Sequence, residues 1–171
     1  MDKILHTQMT NVFNTIENQE EEIEIAARLL AQATMSEGNI LLKSFNEATF
    51  FEDYFLHNDE RIPSIQPFHS IEDITTPDRL LIITKEYTEE VKAFVDQLDD
   101  EFIDYVLVSN TNKDNKAELE EKHHFIDLSS KRKLVPMPDF DRVLNPYGTA
   151  FLFIYYHLYI LIEEMTNPKY E

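Results

Sequence analysis

The chain has 171 residues, of which 43% are hydrophobic and 12% aromatic, and this composition suits one domain with a complete core. Acidic residues outnumber basic residues by 33 to 15, and the resulting charge of −18 repels nucleic acids and anionic membranes. No cysteine is present, which excludes disulfides, thiol nucleophiles and thiolate metal sites. The N-terminus also lacks the pattern of a secretory signal. We therefore expect a cytoplasmic protein with no nucleic-acid partner and no membrane partner.

Two amphipathic helices are predicted at the N-terminus. Apolar residues recur every three or four positions between Ile4 and Ile16, and again between about Glu20 and Met35. Gly38 is expected to terminate the second helix. Both apolar stripes are expected to pack in the core, and the first helix is also a candidate dimer interface.

Strands and helices then alternate along the chain. The strands are expected at 38–43, 61–68, 78–84, 105–108 and 125–128. The helices between them are expected at 48–56, 88–98 and 116–122. Two prolines place the second strand at an edge, and a continuous apolar run places the third at the centre. With right-handed crossovers, this alternation predicts a three-layer α/β/α fold with a five-stranded parallel sheet and flavodoxin-like topology.

The C-terminal part contains a proline-rich connection and a closing helix. Segment 134–146 holds three prolines and is interpreted as an extended connection. The helix predicted over 146–165 is apolar nearly all round, but its strongly hydrophobic part is shorter than the roughly 20 residues that a membrane span needs. We interpret residues 1–171 as a single domain, with N-terminal helices (1–36), an α/β core (38–128) and a closing helix (146–167).

Two polar turns follow the first and third strands, where ligands bind in open parallel sheets. Residues 44–47, Ser-Phe-Asn-Glu, fit a capping box, and Thr88 precedes two glutamates that suit a helix N-terminus and repel phosphate. Each turn is therefore either a helix cap or a phosphate site. Lys43 and Lys85, at equivalent strand ends, are either solvated or able to hold one phosphoryl ligand together.

Histidines and basic residues supply the other candidates. His157 is the best candidate for proton transfer, with a packed core or interface histidine as the competing interpretation. His123 and His124 are adjacent on a charged segment, a pattern that does not favour a metal, and we expect neither a metal nor a cofactor. Residues 131–133, Lys-Arg-Lys, form the single basic cluster and are interpreted as a solvated loop in preference to an anion clamp.

The two N-terminal helices, the strand and turn at 38–48, the strand and turn at 78–88 and the long closing helix together resemble the sugar isomerase (SIS) domain. The chain looks most similar to phosphoheptose isomerase-like proteins of a Bacillus-type branch. The turns of that family are rich in glycine and serine, whereas both turns here lack glycine, which permits close backbone approach to phosphate. Isomerase activity is therefore expected to be weak or directed at an atypical substrate.

The resemblance implies aldose-ketose isomerisation of a phosphorylated sugar. His157 and Glu47 would then be the catalytic proton-transfer groups, and the substrate-binding residues would be Lys43, Ser44, Asn46, Thr49, Thr84, Lys85 and Thr88. The competing hypothesis is a non-catalytic module that binds a sugar phosphate, regulates or dimerises. SIS-like chains tend to pair, and the apolar residues of the first helix and the aromatic closing helix also predict a homodimer. The residues of the first helix expected at that interface are Ile4, Leu5, Met9, Val12 and Phe13.

Overall fold

A computed structural model describes residues 2–170, so the first and last residues of the predicted domain 1–171 lie outside the described part. Its α-helices are α1 (Asp2–Glu17), α2 (Glu20–Met35), α3 (Glu52–His57), α4 (Glu89–Asp100), α5 (Lys116–Glu120) and α6 (Tyr147–Thr166). Its strands are β1 (Ile40–Ser44), β2 (Ile65–Pro67), β3 (Arg79–Glu86), β4 (Tyr105–Asn110), β5 (Phe125–Asp127), β6 (Val135–Pro136) and β7 (Arg142–Val143). Short 3-10 helices cover Asn46–Phe51, Ile71–Asp73 and Pro168–Tyr170.

Five strands form one sheet in the order β2-β1-β3-β4-β5, and all neighbouring pairs are parallel. Ile40 of β1 is in register with Ile65 of β2 on one side and with Arg79 of β3 on the other. This order is that of flavodoxin-like sheets. The predicted α/β fold, the edge position of β2 and the central position of β3 are therefore confirmed.

The two faces of the sheet bury different hydrophobic clusters, because successive side chains of a strand point to opposite faces. Leu81 and Ile83 of β3 pack with α2, α3 and α6, whereas Leu80 and Ile82 pack with α4 and α5. Helices on both faces explain why the central strands are apolar without alternation. The result is the three-layer α/β/α arrangement.

The apolar stripe of α1 is partly covered within the chain by α6. Val12 is buried, and the ring centroid of Phe13 lies 4.4 Å from that of Phe153. Ile4 and Leu5 remain exposed at 40% and 36%. Part of the α1 surface on which the dimer prediction rested is therefore occupied by intramolecular packing.

The turn between α2 and β1 differs from the prediction in the role of its glycine. Glu37, with φ 59°, takes the left-handed position, and the Gly38 N–H returns to the Ala33 carbonyl at 2.7 Å. Gly38 itself has no positive φ. Its small size is required because a Cβ at this position would overlap the carbonyl of Pro77.

Two further segments differ from the prediction. The helix expected at 48–56 begins as the 3-10 helix Asn46–Phe51 and becomes α-helical only from Glu52. Segment 134–146 is not simply extended, because β6 and β7 pair in an antiparallel hairpin. No helix within residues 2–170, α6 included, combines the length and apolarity required to cross a bilayer.

Candidate functional site

The carboxyl ends of β3 and β4 border a polar cleft of about 510 Å³, which we call the carboxyl-end cleft. Its position follows from the topology, because parallel strands bring their carboxyl ends to the same edge of the sheet. The segment that follows β5 supplies two lysines to it. The residues that line the cleft are Lys85, Glu86, Tyr87, Thr88, Asn110, Thr111, Asn112, Asn115, Lys131, Lys133 and Asn145.

The last residue of β4 and the residue after it are polar, buried and part of the cleft lining. Asn110 and Thr111 are each 4% exposed. The Asn110 Oδ1 accepts the backbone N–H of Ser130 at 2.8 Å. The amide uses its oxygen for this bond, and its two N–H donors have no hydrogen-bond partner among the described residues. The same bond fixes the start of the segment that carries Lys131 and Lys133.

Three lysines line the cleft together with one carboxylate, that of Glu86. The Lys85 Nζ lies 4.9 Å from the centroid of the Tyr147 ring, a cation–π contact that holds it at the end of β3. No ion pair among residues 2–170 includes Lys85, Lys131 or Lys133. Three ammonium groups thus line one cleft of a chain whose charge is −18, and ammonium groups attract anions.

The phenol of Tyr87 stays neutral at the cleft wall. Burial raises its pKa well above the ordinary value, and the nearby Glu118 carboxylate raises it further. The Tyr87 hydroxyl lies 3.4 Å from Glu118 Oε1. Tyr87 therefore contributes a polar but uncharged wall.

The crevice between the carboxyl ends of β1 and β3, where the sequence predicted the ligand, is covered by the 3-10 helix Asn46–Phe51. Ala48 is fully buried against the sheet. The Phe51 ring lies 5.5 Å from that of Phe151 and 6.4 Å from that of Tyr147, measured between centroids. Aromatic packing thus fills the predicted crevice, and the open polar cleft lies one strand further along the sheet.

The predicted capping box at residues 44–47 is wrong. Ser44 is still the last residue of β1, and its Oγ donates to Glu52 Oε2 of α3 at 2.5 Å instead of serving the next helix turn. Phe45 occupies the cap position of the 3-10 helix without a side-chain cap bond. Asn46, with φ 52°, and Glu47 are exposed. None of these four residues lines the carboxyl-end cleft.

The predicted threonine donors are used mainly within the protein. Thr84 is fully buried, and its Oγ1 donates to the Glu86 carbonyl at 2.8 Å. Thr88 accepts the Val91 N–H at 3.4 Å and caps α4, so the capping interpretation of the second turn is confirmed. Thr49 is exposed on the 3-10 helix. Of these threonines, Thr88 lines the cleft.

Lys43 and Lys85 do not converge on one ligand, because they project from opposite faces of the sheet. The Lys43 Nζ lies over the rings of Phe45 and Phe94, at 4.8 Å and 5.8 Å from their centroids, on the α4 side. Lys85 contacts Tyr147 of α6 on the other side. Of the two interpretations of these lysines, a shared phosphoryl ligand does not fit this geometry, and of the two only Lys85 lines the carboxyl-end cleft.

His157 lies in a different cavity, of about 300 Å³, between the α1–α2 turn and α6; Glu17 and Glu20 also line it. Its ring packs edge-on against Phe153 at 4.7 Å, and its Nε2 is buried without a hydrogen-bond partner among the described residues. His157 is about 15 Å along α6 from the helix start, which lies next to Lys85. The structure therefore does not bring His157 together with Glu47 or with the cleft.

No cluster of three or more histidine or carboxylate side chains within residues 2–170 has the arrangement of a metal site.

The prediction missed the residues that define the cleft. Asn110 and Thr111 belong to a polar loop after a buried strand, and Lys131 and Lys133 form most of the single basic cluster, so both signals are visible in the sequence. Nothing in their spacing indicates that they meet. The two segments meet because β4 and β5 pair side by side, with Ser109 opposite Asp127, and the Asn110–Ser130 bond adds a side-chain contact beyond that pairing.

The sheet order and the cleft define the class of this protein as an α/β protein of flavodoxin-like topology with a basic cleft at the strand carboxyl ends. The chain belongs to the family described as Domain of unknown function (DUF2529), which matches residues 1–166. It is 32% identical over 168 residues to the Uncharacterized protein YwjG of Bacillus subtilis (strain 168), and the match covers 95% of this chain and 96% of that protein. Neither match names a sugar isomerase domain, so the SIS resemblance stays a prediction.

Proposed function

We propose that this protein binds a small phosphorylated sugar in the carboxyl-end cleft. The observation that carries the proposal is that Lys85, Lys131 and Lys133 line one cleft of a strongly acidic chain and take part in no ion pair among the described residues. Ammonium groups form charge-assisted hydrogen bonds with phosphoryl oxygens. A volume of about 510 Å³ is in the range of small-molecule sites.

The neutral donors and the single carboxylate suit the sugar part of such a ligand. The Asn110 amide can donate to a hydroxyl oxygen, and the exposed Glu86 carboxylate can accept from a hydroxyl. These groups do not favour a plain inorganic anion, because Glu86 would repel it. We therefore favour a ligand with both a phosphoryl group and hydroxyls.

Binding without turnover is favoured over isomerisation by the position of the proton-transfer candidates. An isomerase needs an acid and a base within hydrogen-bond reach of the substrate carbons. His157 lies in its own cavity, and Glu47 is exposed outside the cleft. Isomerisation of a phosphosugar is the alternative function. The homodimer and the cytoplasmic location also stay predictions.

Calorimetric titration of glucose 6-phosphate tests the proposal, with glucose and inorganic phosphate as reference ligands. The double substitution Lys131→Gln and Lys133→Gln should weaken glucose 6-phosphate binding at least about tenfold, because each lost charge-assisted contact contributes roughly 1.5 to 3 kcal/mol. The matched control is Lys3→Gln with Lys169→Gln, which removes the same charge away from the cleft. Equal losses in both double variants, or no binding to the unmodified protein, would overturn the proposal.

The isomerase alternative has a separate test. Purified protein is incubated with hexose, pentose and heptulose phosphates, and the products are followed by chromatography. We expect no turnover by the unmodified protein. Conversion of any of these sugars that is lost in His157→Gln would instead support the isomerase and would require His157 to reach the substrate.

A further inference from the structure

A second basic groove adjoins the carboxyl-end cleft. It measures about 720 Å³ and lies between α1 and the β6–β7 hairpin. Arg132, Lys133 and Arg142 line it, with Asp141 as the single carboxylate. Lys133 lines both the groove and the cleft, so the two spaces meet at this side chain.

The hairpin holds the groove in a defined shape. The Leu134 N–H donates to the Val143 carbonyl at 3.0 Å. The Arg142 side chain donates from Nε to the Lys133 carbonyl at 3.0 Å and from Nη2 to the Leu134 carbonyl at 2.9 Å. Because two of its three nitrogens are engaged by the backbone, the guanidinium is fixed beside Lys133. A positioned guanidinium is well suited to phosphoryl recognition.

The arginines of the groove are not paired with carboxylates in the part of the chain that the structure describes. No ion pair within residues 2–170 includes Arg132 or Arg142. Other basic residues, such as Lys92 and Lys122, do pair with carboxylates of this acidic chain. The groove and the cleft thus form two adjacent cationic sites that share one lysine, in a protein whose charge is otherwise strongly negative.

We infer that the preferred ligand carries two separated phosphoryl groups, as a bisphosphorylated sugar does. One phosphoryl group binds Lys85 and Lys131 in the cleft, the other binds Arg132 and Arg142 in the groove, and Lys133 lies between them. This inference rests on the proposed function, because it takes the carboxyl-end cleft as the site of the first phosphoryl group. Two joined sites raise affinity because binding of the second group becomes intramolecular.

The test compares glucose 6-phosphate with glucose 1,6-bisphosphate by calorimetry on the full chain, with pyrophosphate as a ligand that has two charges but no spacer. Glucose 1,6-bisphosphate should bind at least about tenfold more tightly than glucose 6-phosphate, since a second charge-assisted contact contributes more than 1.4 kcal/mol. The affinity of pyrophosphate should exceed that of glucose 6-phosphate by much less. The ratio of the two sugar affinities should fall toward one in Arg132→Gln and should persist in the control Lys3→Gln.

The outcomes separate this inference from the proposed function. If glucose 6-phosphate binds with the expected dependence on Lys131 and Lys133 but glucose 1,6-bisphosphate binds no better, the inference is wrong and the proposed function stands. An affinity ratio that Arg132→Gln leaves unchanged also overturns the inference. If neither sugar binds, both are wrong. Because Arg132 is exposed on a loop, its substitution is not expected to prevent folding.

Discussion

Two carboxylates at opposite ends of the sheet differ in their hydrogen bonds and in the direction of their pKa shifts. Asp78, at the amino end of β3, is 6% exposed and accepts three bonds of 2.8 Å, from the N–H of Asn39 and from the N–H and hydroxyl of Thr75. Burial alone would raise its pKa, but these bonds hold the pKa below the ordinary value. Asp127, at the carboxyl end of β5, accepts from the Ser129 N–H, and burial raises its pKa.

Cations at the two ends show the same contrast. The Arg79 guanidinium, at the amino end, donates to the carbonyls of Thr76 and Asp78 at 3.0 Å and 2.8 Å and to the Gln32 side chain at 3.2 Å. Lys131 and Lys133, at the carboxyl end, face an open cleft. The Arg79 guanidinium at the amino end is thus bonded within the fold, whereas the two lysines at the carboxyl end form no ion pair among the described residues.

The largest expected effect is that of Gly38→Ala at the amino end. The added Cβ would overlap the Pro77 carbonyl, so α2 or the loop before β3 must shift. We expect the free energy of unfolding to fall by about 3 kcal/mol. Urea unfolding measures it, and Ser36→Ala, an exposed substitution in the same turn, is the control that should stay near the unmodified value. Unchanged stability in Gly38→Ala would show that the close approach is unimportant.

Asp78→Asn should lower the free energy of unfolding by about 2 kcal/mol at neutral pH, because an amide cannot accept all three bonds and places N–H groups against donors. The folded-state pKa is depressed, so the contribution of the carboxylate is present above the ordinary value of 3.8 and is lost as pH falls through the folded-state pKa.

The stability difference between the unmodified protein and Asp78→Asn should therefore narrow below about pH 4. Urea unfolding at a series of pH values measures this, with Glu72→Gln as the exposed control. A difference that does not depend on pH would mean that the charge of Asp78 is not what stabilises the turn.

Tyr155→Phe should lower the free energy of unfolding by about 1 to 2 kcal/mol. The Tyr155 hydroxyl donates to the Glu60 carbonyl at 2.9 Å and accepts the Ile62 N–H at 3.2 Å, and Ile62 is fully buried before β2. Without the hydroxyl this N–H has no acceptor. Thermal unfolding measures the loss, and Tyr156→Phe, at a neighbouring tyrosine that is 45% exposed, is the matched control. Equal effects of the two substitutions would contradict the account.

The smallest expected effect has the opposite sign and lies at the carboxyl end. Asp127→Asn should stabilise the protein by about 0.5 kcal/mol or less at neutral pH. The folded-state pKa of Asp127 is raised, so the folded state favours the protonated form, and ionisation at higher pH costs stability. The stability advantage of Asp127→Asn over the unmodified protein should disappear as pH falls toward 3.8. Destabilisation at neutral pH would show that the Asp127 charge has a structural partner.

The sequence predicted the sheet well because periodicity reports burial directly. The continuous apolar run of β3 indicated a strand covered on both faces, and the prolines near β2 indicated an edge, and both are physical consequences of sheet packing. The α4 cap was also predictable, since Thr88 and the N–H that it accepts are three residues apart. A hydrogen bond can be predicted from the sequence when both partners are close along the chain.

The site was predicted poorly because its partners are distant in sequence. Serine is a residue type that commonly caps helices, yet the Ser44 hydroxyl donates to the Glu52 side chain, because the chain leaves β1 through a 3-10 helix. Lys43 and Lys85 occupy similar strand ends, but the side-chain alternation of each strand sends them to opposite faces. The ends of β4 and β5 lie together because the two strands pair, but the Asn110–Ser130 side-chain bond at the cleft is encoded by no periodicity or spacing.

The most direct measurement is a titration of the ¹⁵N-labelled protein with glucose 6-phosphate, followed by amide chemical shifts. We expect saturable shifts at residues 110–112 and 131–133, at the carboxyl end of the sheet, and none at residues 75–79, at the amino end. The shifts should weaken with added salt, because the contacts are ionic. Shifts confined to residues 75–79 or to the surroundings of His157, or no shifts at all, would contradict the account.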